Sequence, residues 1–418
     1  MVNENSKCET WDFKPINDYL DLLTDYDANG SFADMAANVH TEWGHGYAWY
    51  VRATDLEQNL SMADVRYADE YSYKFLEKTS LFGGELLMAK RGEIGKIYFF
   101  QMRSKYATLA PNLYLLKLND GMDSRFLYYY FLSGEGQKKI KAINASTSLG
   151  AIYKDDVKKL LVPALDIKEQ KRIAETLTGI DSLITKLQEL IVKKKNMRQG
   201  TMQSLITGKK RLDGFTGDWI KINLAKNSRL KARIGWQGLT TAEYLDEGYS
   251  YLITGTDFKD GRIDWGGCHY VDYDRYAQDT NIQVSNGDLL LTKDGTIGKV
   301  AFVSDLKRPA TLNSGVFLVK PITDAYTAHF MFYVLESSVF KAFLQQLSAG
   351  STINHLYQKD LVKFDLYVPP TKEEQEAIAG ILFDMDSDIH KLEAKLEKYQ
   401  KVKQGMMEEL LTGKVRLM

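Results

Sequence analysis

Glu169-Gln170-Lys171-Arg172-Ile173-Ala174 and Glu374-Gln375-Glu376-Ala377-Ile378-Ala379 open two stretches that align without a gap over residues 169–212 and 374–417, at a constant offset of 205. Asp181-Ser182 pairs with Asp386-Ser387, and Gln199-Gly200 with Gln404-Gly405. Thr207-Gly208-Lys209 pairs with Thr412-Gly413-Lys414, and each copy closes on Arg-Leu, at Arg211-Leu212 and Arg416-Leu417. An ungapped match of this length is an internal duplication, and it sets the frame in which shorter motifs are read.

Each copy reads as one long helix. Asp166-x-x-Glu169 and Thr371-x-x-Glu374 have the form of capping boxes, placed just after Pro163 and Pro369-Pro370, where a helix cannot yet have begun. Apolar residues follow at Ile173, Leu177, Ile180, Ile184, Leu187 and Ile191, and in the second copy at Ile378, Leu382, Met385, Ile389, Leu392 and Leu396. Their alternating spacings of four and three define the narrow seam of a coiled coil. Gly208 and Gly413 supply the left-handed residue that commonly ends a helix. Running from near 166 to near 207, each helix is expected to be about 60 Å long at ~1.5 Å per residue. So narrow a seam needs a partner. The copies of one chain pairing antiparallel would carry a domain at each end, whereas pairing between chains is an alternative left open by the sequence.

The segments before the helices are related more loosely. Gly84-Glu-Leu-Leu-Met-Ala-Lys90-Arg91-Gly92-Glu-Ile94-Gly95-Lys96 corresponds to Gly287-Asp-Leu-Leu-Leu-Thr-Lys293-Asp294-Gly295-Thr-Ile297-Gly298-Lys299, and Thr54-Asp55 to Thr256-Asp257. Short β-branched and aromatic runs punctuated by Gly indicate strands in a mixed α/β domain. The copies diverge over 15–45 against 221–248, so the scaffold is shared and the loops are not.

Composition narrows the class. With 418 residues, 44% of them hydrophobic, and 31 Gly against 7 Pro, the chain is long enough for several packed cores and is not of disordered composition. The N-terminus lacks a leader pattern, and no run approaches the ~18 apolar residues of a membrane span, which predicts a soluble cytoplasmic protein. Cys8 and Cys268 stand apart from any C-x-x-C spacing, so no zinc site is expected. A formal net charge of -1 argues against coating nucleic acid by bulk charge, but local runs are basic. Lys226 to Trp236 holds four cations and no acid, and Lys90 to Lys105 holds five cations against Glu93 alone. Any one such run taken singly is also what a solvated loop looks like.

The pattern of a Gly-[Glu/Asp]-Leu-Leu strand, Gly-x-Ile-Gly-Lys, a Ser/Thr-rich turn, then a Glu-Gln helix ending in Leu-[Ile/Leu]-Thr-Gly-Lys-x-Arg-Leu resembles the specificity subunit of type I restriction-modification systems, twice over. The resemblance implies two target-recognition domains, at 1–163 and 213–369, each followed by a spacer helix, at 164–212 and 370–418. It implies that each domain reads one half of an interrupted double-stranded DNA site. It also implies that the helices set the gap and carry two methyltransferase subunits and, through them, restriction subunits. S-adenosylmethionine, ATP and Mg then belong to those partners, with no cofactor, no metal and no catalytic residue in this chain. Arg91 against Asp294 is a mild departure between copies, which puts equal DNA contacts at the two positions in doubt.

Rival chemistry lacks its residues. Val368-Pro369-Pro370-Thr371 has neither the amide nor the aromatic ring of an adenine methyltransferase loop. Gly92-Glu-Ile-Gly95-Lys96 is two residues too short for a Walker loop and has no following hydroxyl, so it reads as a tight turn with basic flanks. His40-Thr-Glu42-Trp-Gly-His45 misplaces the Glu of a zinc-binding helix, and Asp257-Phe258-Lys259 has no identifiable partner acid for a nuclease. Base reading calls for Arg, Lys, Asn or Gln at base edges, with phosphate contacts fixing register. The candidates are Lys90, Arg91, Lys96 and Arg103 in the first domain, and Arg229, Lys231, Arg233, Gln237, Lys293 and Lys299 in the second, with Trp236 as a packing neighbour. The other class that fits the repeat is a coiled-coil adaptor whose domains bind proteins.

Overall fold

A computed structural model describes residues 11–143, 152–235, 238–348 and 355–417. It divides into two compact units, one formed by Met1–Gln188 with Lys395–Met418, the other by Glu189–Ala394. The division cuts across chain order because the two long helices, Ile167–Ile206 and Lys372–Leu410, each contribute one half to either unit. Within each unit the beginning of one helix lies beside the end of the other, so the pair is antiparallel.

In the first unit the antiparallel sheet runs in the order Leu20–Asp25, Leu113–Leu118, Leu86–Ala89, Ile97–Phe99. Strand alternation splits its side chains. Leu86, Met88, Tyr114 and Leu116 face a core shared with helix Ser124–Leu132 and with both long helices. Leu87, Ala89, Leu113 and Leu115 face a second core with Trp49, Val51, Ala107 and Leu109 of a five-stranded sheet. The second unit repeats this plan with Ser228–Lys231, Val316–Pro321, Leu289–Thr292 and Val300–Phe302. In both units the second sheet contains one parallel pair, Ala48–Val51 with Ala107–Leu109 and Ser250–Ile253 with Ala310–Leu312.

The residues repeated between copies turn out to be partners of one another. Glu169 accepts both Nε and Nη2 of Arg416, at 2.6 and 2.7 Å, and Glu374 accepts Nε and Nη2 of Arg211, at 3.0 and 2.6 Å. The duplicated Glu and Arg thus form two reciprocal bidentate clasps, each joining the start of one copy to the end of the other. This corrects half of the capping-box expectation. Asp166 accepts the N–H of Lys168 and Thr371 that of Glu374, but both glutamates are spent on arginine. The neighbouring Gln170 and Gln375 are buried and act as braces. Each accepts a loop N–H, from Asp123 and Thr327 at 2.8 Å, and donates its amide to two carbonyls.

The seam also does more than pair helices. Ile173 and Leu177 lie in the core of the first unit, and Ile378 and Leu382, with Met385 against them, in that of the second. The first turns are therefore docked on the globular domains. Ile180, Leu187, Ile191 and Ile389 are buried, whereas Ile184, Leu392 and Leu396 are only half-buried. Gly200 and Gly405 stand inside the helices at a cost of about 1 kcal/mol each relative to Ala, which packing must outweigh. Gly208 and Gly413 take φ of 68° and 76°, as the ends of the helices require.

Candidate nucleic-acid interface

The Gly-x-Ile-Gly-Lys segments are tight turns between antiparallel strands, Leu86–Ala89 with Ile97–Phe99 and Leu289–Thr292 with Val300–Phe302. Several of their backbone donors are used internally. The N–H groups of Ile94, Gly95 and Lys96 bond to Gly92, Ala89 and Glu93, and Gly298 N–H bonds to Thr292. Gly95 and Gly298 have positive φ, and a Cβ there would meet Ile140 at 2.1 Å or Leu344 at 2.4 Å. These glycines serve close packing on helices Gly134–Ala142 and Ser338–Leu347.

Those side chains divide sharply. Arg91 and Lys299 are exposed, and no carboxylate lies within ion-pair distance of either among the described residues. Lys96 is paired with Glu93 and, at 3.6 Å, with Glu57. Lys293 lies 5.3 Å over the ring of Phe317. Arg103 lies 4.7 Å over Trp49 and donates to Asn59 and the Leu60 carbonyl. On the strand Ser228–Lys231 burial alternates, so Arg229 and Lys231 project from the same exposed face. Arg229 stands opposite Lys320, which is itself paired with Asp288. Trp236 and Gln237 lie outside the described residues.

Two candidates prove to be interior. Arg233 is 1% exposed and donates to the Leu312 carbonyl at 2.9 Å and to Thr311 Oγ1 at 3.2 Å. Burial, with Arg275 adding, holds its pKa below the usual guanidinium range, and the side chain ties the segment after strand Ser228–Lys231 to Ala310–Leu312. Lys90 is likewise buried, bonded to Asp25 at 2.7 Å and Asp27 at 2.8 Å. The local charge runs are real, but a cation in a run can point inward when a carboxylate or carbonyl from another strand meets it there.

Lys154 also reaches Asp25, at 2.7 Å. Burial pushes the Asp25 carboxyl up, but hydrogen bonds and charge from Lys154 and Lys90 outweigh it and hold the group below the usual carboxylate range. A carboxyl with a depressed native pKa stabilises the fold fully above its unfolded value, about 3.9, and loses that contribution as pH falls through the native value. Acid titration of unfolding should therefore show wild type and Asp25→Asn converging below about pH 4 while differing at neutral pH. A pH-independent gap between them would remove the linkage.

Asp257 is bonded within its own loop. Its carboxylate accepts the N–H and hydroxyl of Thr254, at 2.7 and 2.9 Å, and in the first unit Asp55 accepts the N–H of Arg52 at 3.1 Å. The Thr-Asp repeat is thus a buried backbone clamp. His45 and Glu42 are exposed neighbours, and no group of three or more His, Cys, Asp or Glu placed to hold a metal occurs among the described residues. Sequence reading missed Trp43, Arg52 and Arg66, which come together only through strand pairing; the one local signal is the place of Arg52, three residues before Asp55.

Two mixed α/β domains of one plan, each packed on the duplicated helices and differing in their exposed residues, define a duplicated scaffold that carries two divergent surfaces. The family model described as the type I restriction modification DNA specificity domain matches residues 9–194 and again 206–402, so the chain belongs to that family. It is 26% identical over 316 residues to the type I restriction enzyme MjaVIII specificity subunit of Methanocaldococcus jannaschii, covering 72% of either chain. In fold it is similar to the crystal structure of the type I restriction-modification system S subunit from M. genitalium, with a TM-score of 0.62 at 16% identity over 98% of this chain and 97% of that one. A second structure, from a study of type I R-M complex assembly, has a TM-score of 0.54 at 14% identity, covering 99% of this chain and 100% of that one. No helix among the described residues is long and apolar enough to cross a membrane.

Proposed function

We propose that this chain is the DNA-reading subunit of a type I restriction-modification enzyme, with its domains at 1–163 and 213–369 each reading one half of an interrupted site. The carrying observation is the specificity-domain match to both copies of the repeat, which favours a DNA reader over a protein-binding adaptor. The helices at 164–212 and 370–418 serve as spacer and as the surface for two methyltransferase subunits, which in turn hold restriction subunits. Methyl transfer from S-adenosylmethionine and ATP-driven cleavage with Mg reside in those partners. Arg91, Lys96, Arg103, Arg229, Lys231, Lys293 and Lys299 supply phosphate and base contacts, while Lys90 and Arg233 hold the strands that present them.

Mapping of methylated adenines in cells that express the chain with its methyltransferase partner should return a two-part motif of fixed gap. A one-part motif, or none, would count against the reading. Of the individual contacts, Arg229 and Lys231 are the best placed to touch phosphate. Replacing both by Ala should lower the slope of log Kd against log salt by about 2 for the assembled methyltransferase, since each neutralised phosphate contributes ~0.9. An unchanged slope would take this strand out of the interface.

A further inference from the structure

Three arginines and two tryptophans of the first unit form one continuous chain of contacts. Arg103 stacks on Trp49, which is fully buried and donates its indole N–H to Asp55 at 3.3 Å. Asp55 in turn accepts Nε and Nη2 of Arg52, at 2.9 and 2.5 Å. The Arg52 guanidinium lies 4.6 Å from the ring centre of Trp43. Arg66, directly opposite Trp43 in the strand register, lies 4.8 Å from the same ring and donates to the Thr41 hydroxyl at 2.9 Å. Trp43 sits on the edge strand of the five-stranded sheet and is 53% exposed.

This arrangement is unbalanced in charge. Asp55 answers Arg52, and among the described residues no carboxylate lies within ion-pair distance of Arg66 or Arg103. Two guanidinium groups held against one ring repel each other unless an anion bridges them. With Arg52 Nε and Nη2 given to Asp55 and Arg66 Nη1 to Thr41, the Nη1 of Arg52 and the Nη2 of Arg66 remain to donate to acceptors such as a phosphate or the O6 and N7 atoms of guanine.

The second unit supplies an internal comparison. There Asp257 clamps the backbone as Asp55 does, but the residue in the place of Arg52 is Thr254. His269 pairs with Leu252 on Ser250–Ile253, and continuing the register Ala48–Ala68, Trp49–Tyr67 by one residue brings Arg66 to the equivalent place, opposite Tyr50. Backbone positions fixed by the same buried clamp and the same sheet thus carry different side chains. A specificity-determining position requires that combination.

We infer that Arg52 and Arg66, held on the Trp43 ring, are DNA contacts of the first recognition domain, and that Thr254 and His269 are their differently specified counterparts in the second. The inference rests on the DNA-reading function proposed above. Arg52→Thr, Arg66→Ala and Trp43→Ala test it in the full chain co-expressed with its methyltransferase partner; Thr254 shows that threonine is compatible with the clamp. Methylation mapping should show specified bases relaxed in one half of the motif, with the other half unchanged. The Kd of the purified complex for the mapped duplex should rise about tenfold. A two-part motif and a Kd indifferent to all three substitutions would overturn this contact alone, whereas failure of the wild-type chain to direct a two-part motif would overturn the function beneath it. Should a variant lose methylation altogether, its melting midpoint decides. An unchanged midpoint with weakened DNA binding supports the contact, and a lowered midpoint assigns these arginines to bracing the sheet and overturns it.

Discussion

Removing the equivalent heptads 187–193 and 392–398 together is expected to shorten the unread gap in the target by about 3 base pairs while leaving both half-sites unchanged. Each helix loses about 10 Å at ~1.5 Å per residue, and B-DNA rises about 3.4 Å per base pair. Taking out a whole heptad keeps the apolar seam in phase, so the helices can re-pair. Deleting at equivalent positions preserves the reciprocal clasps Glu169–Arg416 and Glu374–Arg211. Removing three residues instead turns the remaining seam by most of a helical turn and should abolish the two-part motif. Methylation mapping reads both results. An unaltered gap after the heptad deletion would mean that the helices do not act as the spacer.

Arg198→Ala is expected to destabilise the second unit strongly. Arg198 donates to Asp386 through Nε and Nη2, at 2.8 and 3.1 Å, and to Glu336 at 2.5 Å, in a site where all three side chains are about four-fifths covered. Burial alone would lower its pKa, but the two carboxylates raise it well above the usual guanidinium value, so it is charged throughout. Removing it leaves two neighbouring carboxylates without their cation, at a cost of about 3 kcal/mol. For a unit of this size the melting midpoint should fall by roughly 6 to 12 °C. The equivalent position in the first unit is Lys403, paired with Asp181 at 2.6 Å beside Tyr129, as Arg198 is paired with Asp386 beside Tyr333. Arg198→Lys should accordingly recover part of the loss, because one ammonium can satisfy Asp386 but not the Glu336 arm as well. A midpoint unmoved by Arg198→Ala would show that the network adds nothing to stability.

The repeat was legible because it is a one-dimensional property. A heptad spacing, a proline before the first turn and a glycine after the last one act within a few residues of their own position. The Gly-x-Ile-Gly-Lys turns were legible for the same reason, and both form the strand connections that their glycines suggested. The candidate cations divide between surface and interior because a run of cations has no direction. Arg229 and Lys231 lie on the open face of their strand, whereas Arg233, two residues on, turns inward to Leu312 and Thr311.

By itself the sequence determined the duplication, the two long helices with their starts and stops, the paired α/β domains and the family. All of these rest on local propensity or on comparison between the two copies. Tertiary structure alone decided that the duplicated glutamates clasp the duplicated arginines and that the first turns of the seam dock on the domain cores. It also placed Lys90 inside, against Asp25, and brought Arg52 and Arg66 together on Trp43. The physical reason is that an ion pair or a stacked ring depends on which strands become neighbours, and strand pairing brings together residues whose separation in the chain carries no record of their contact.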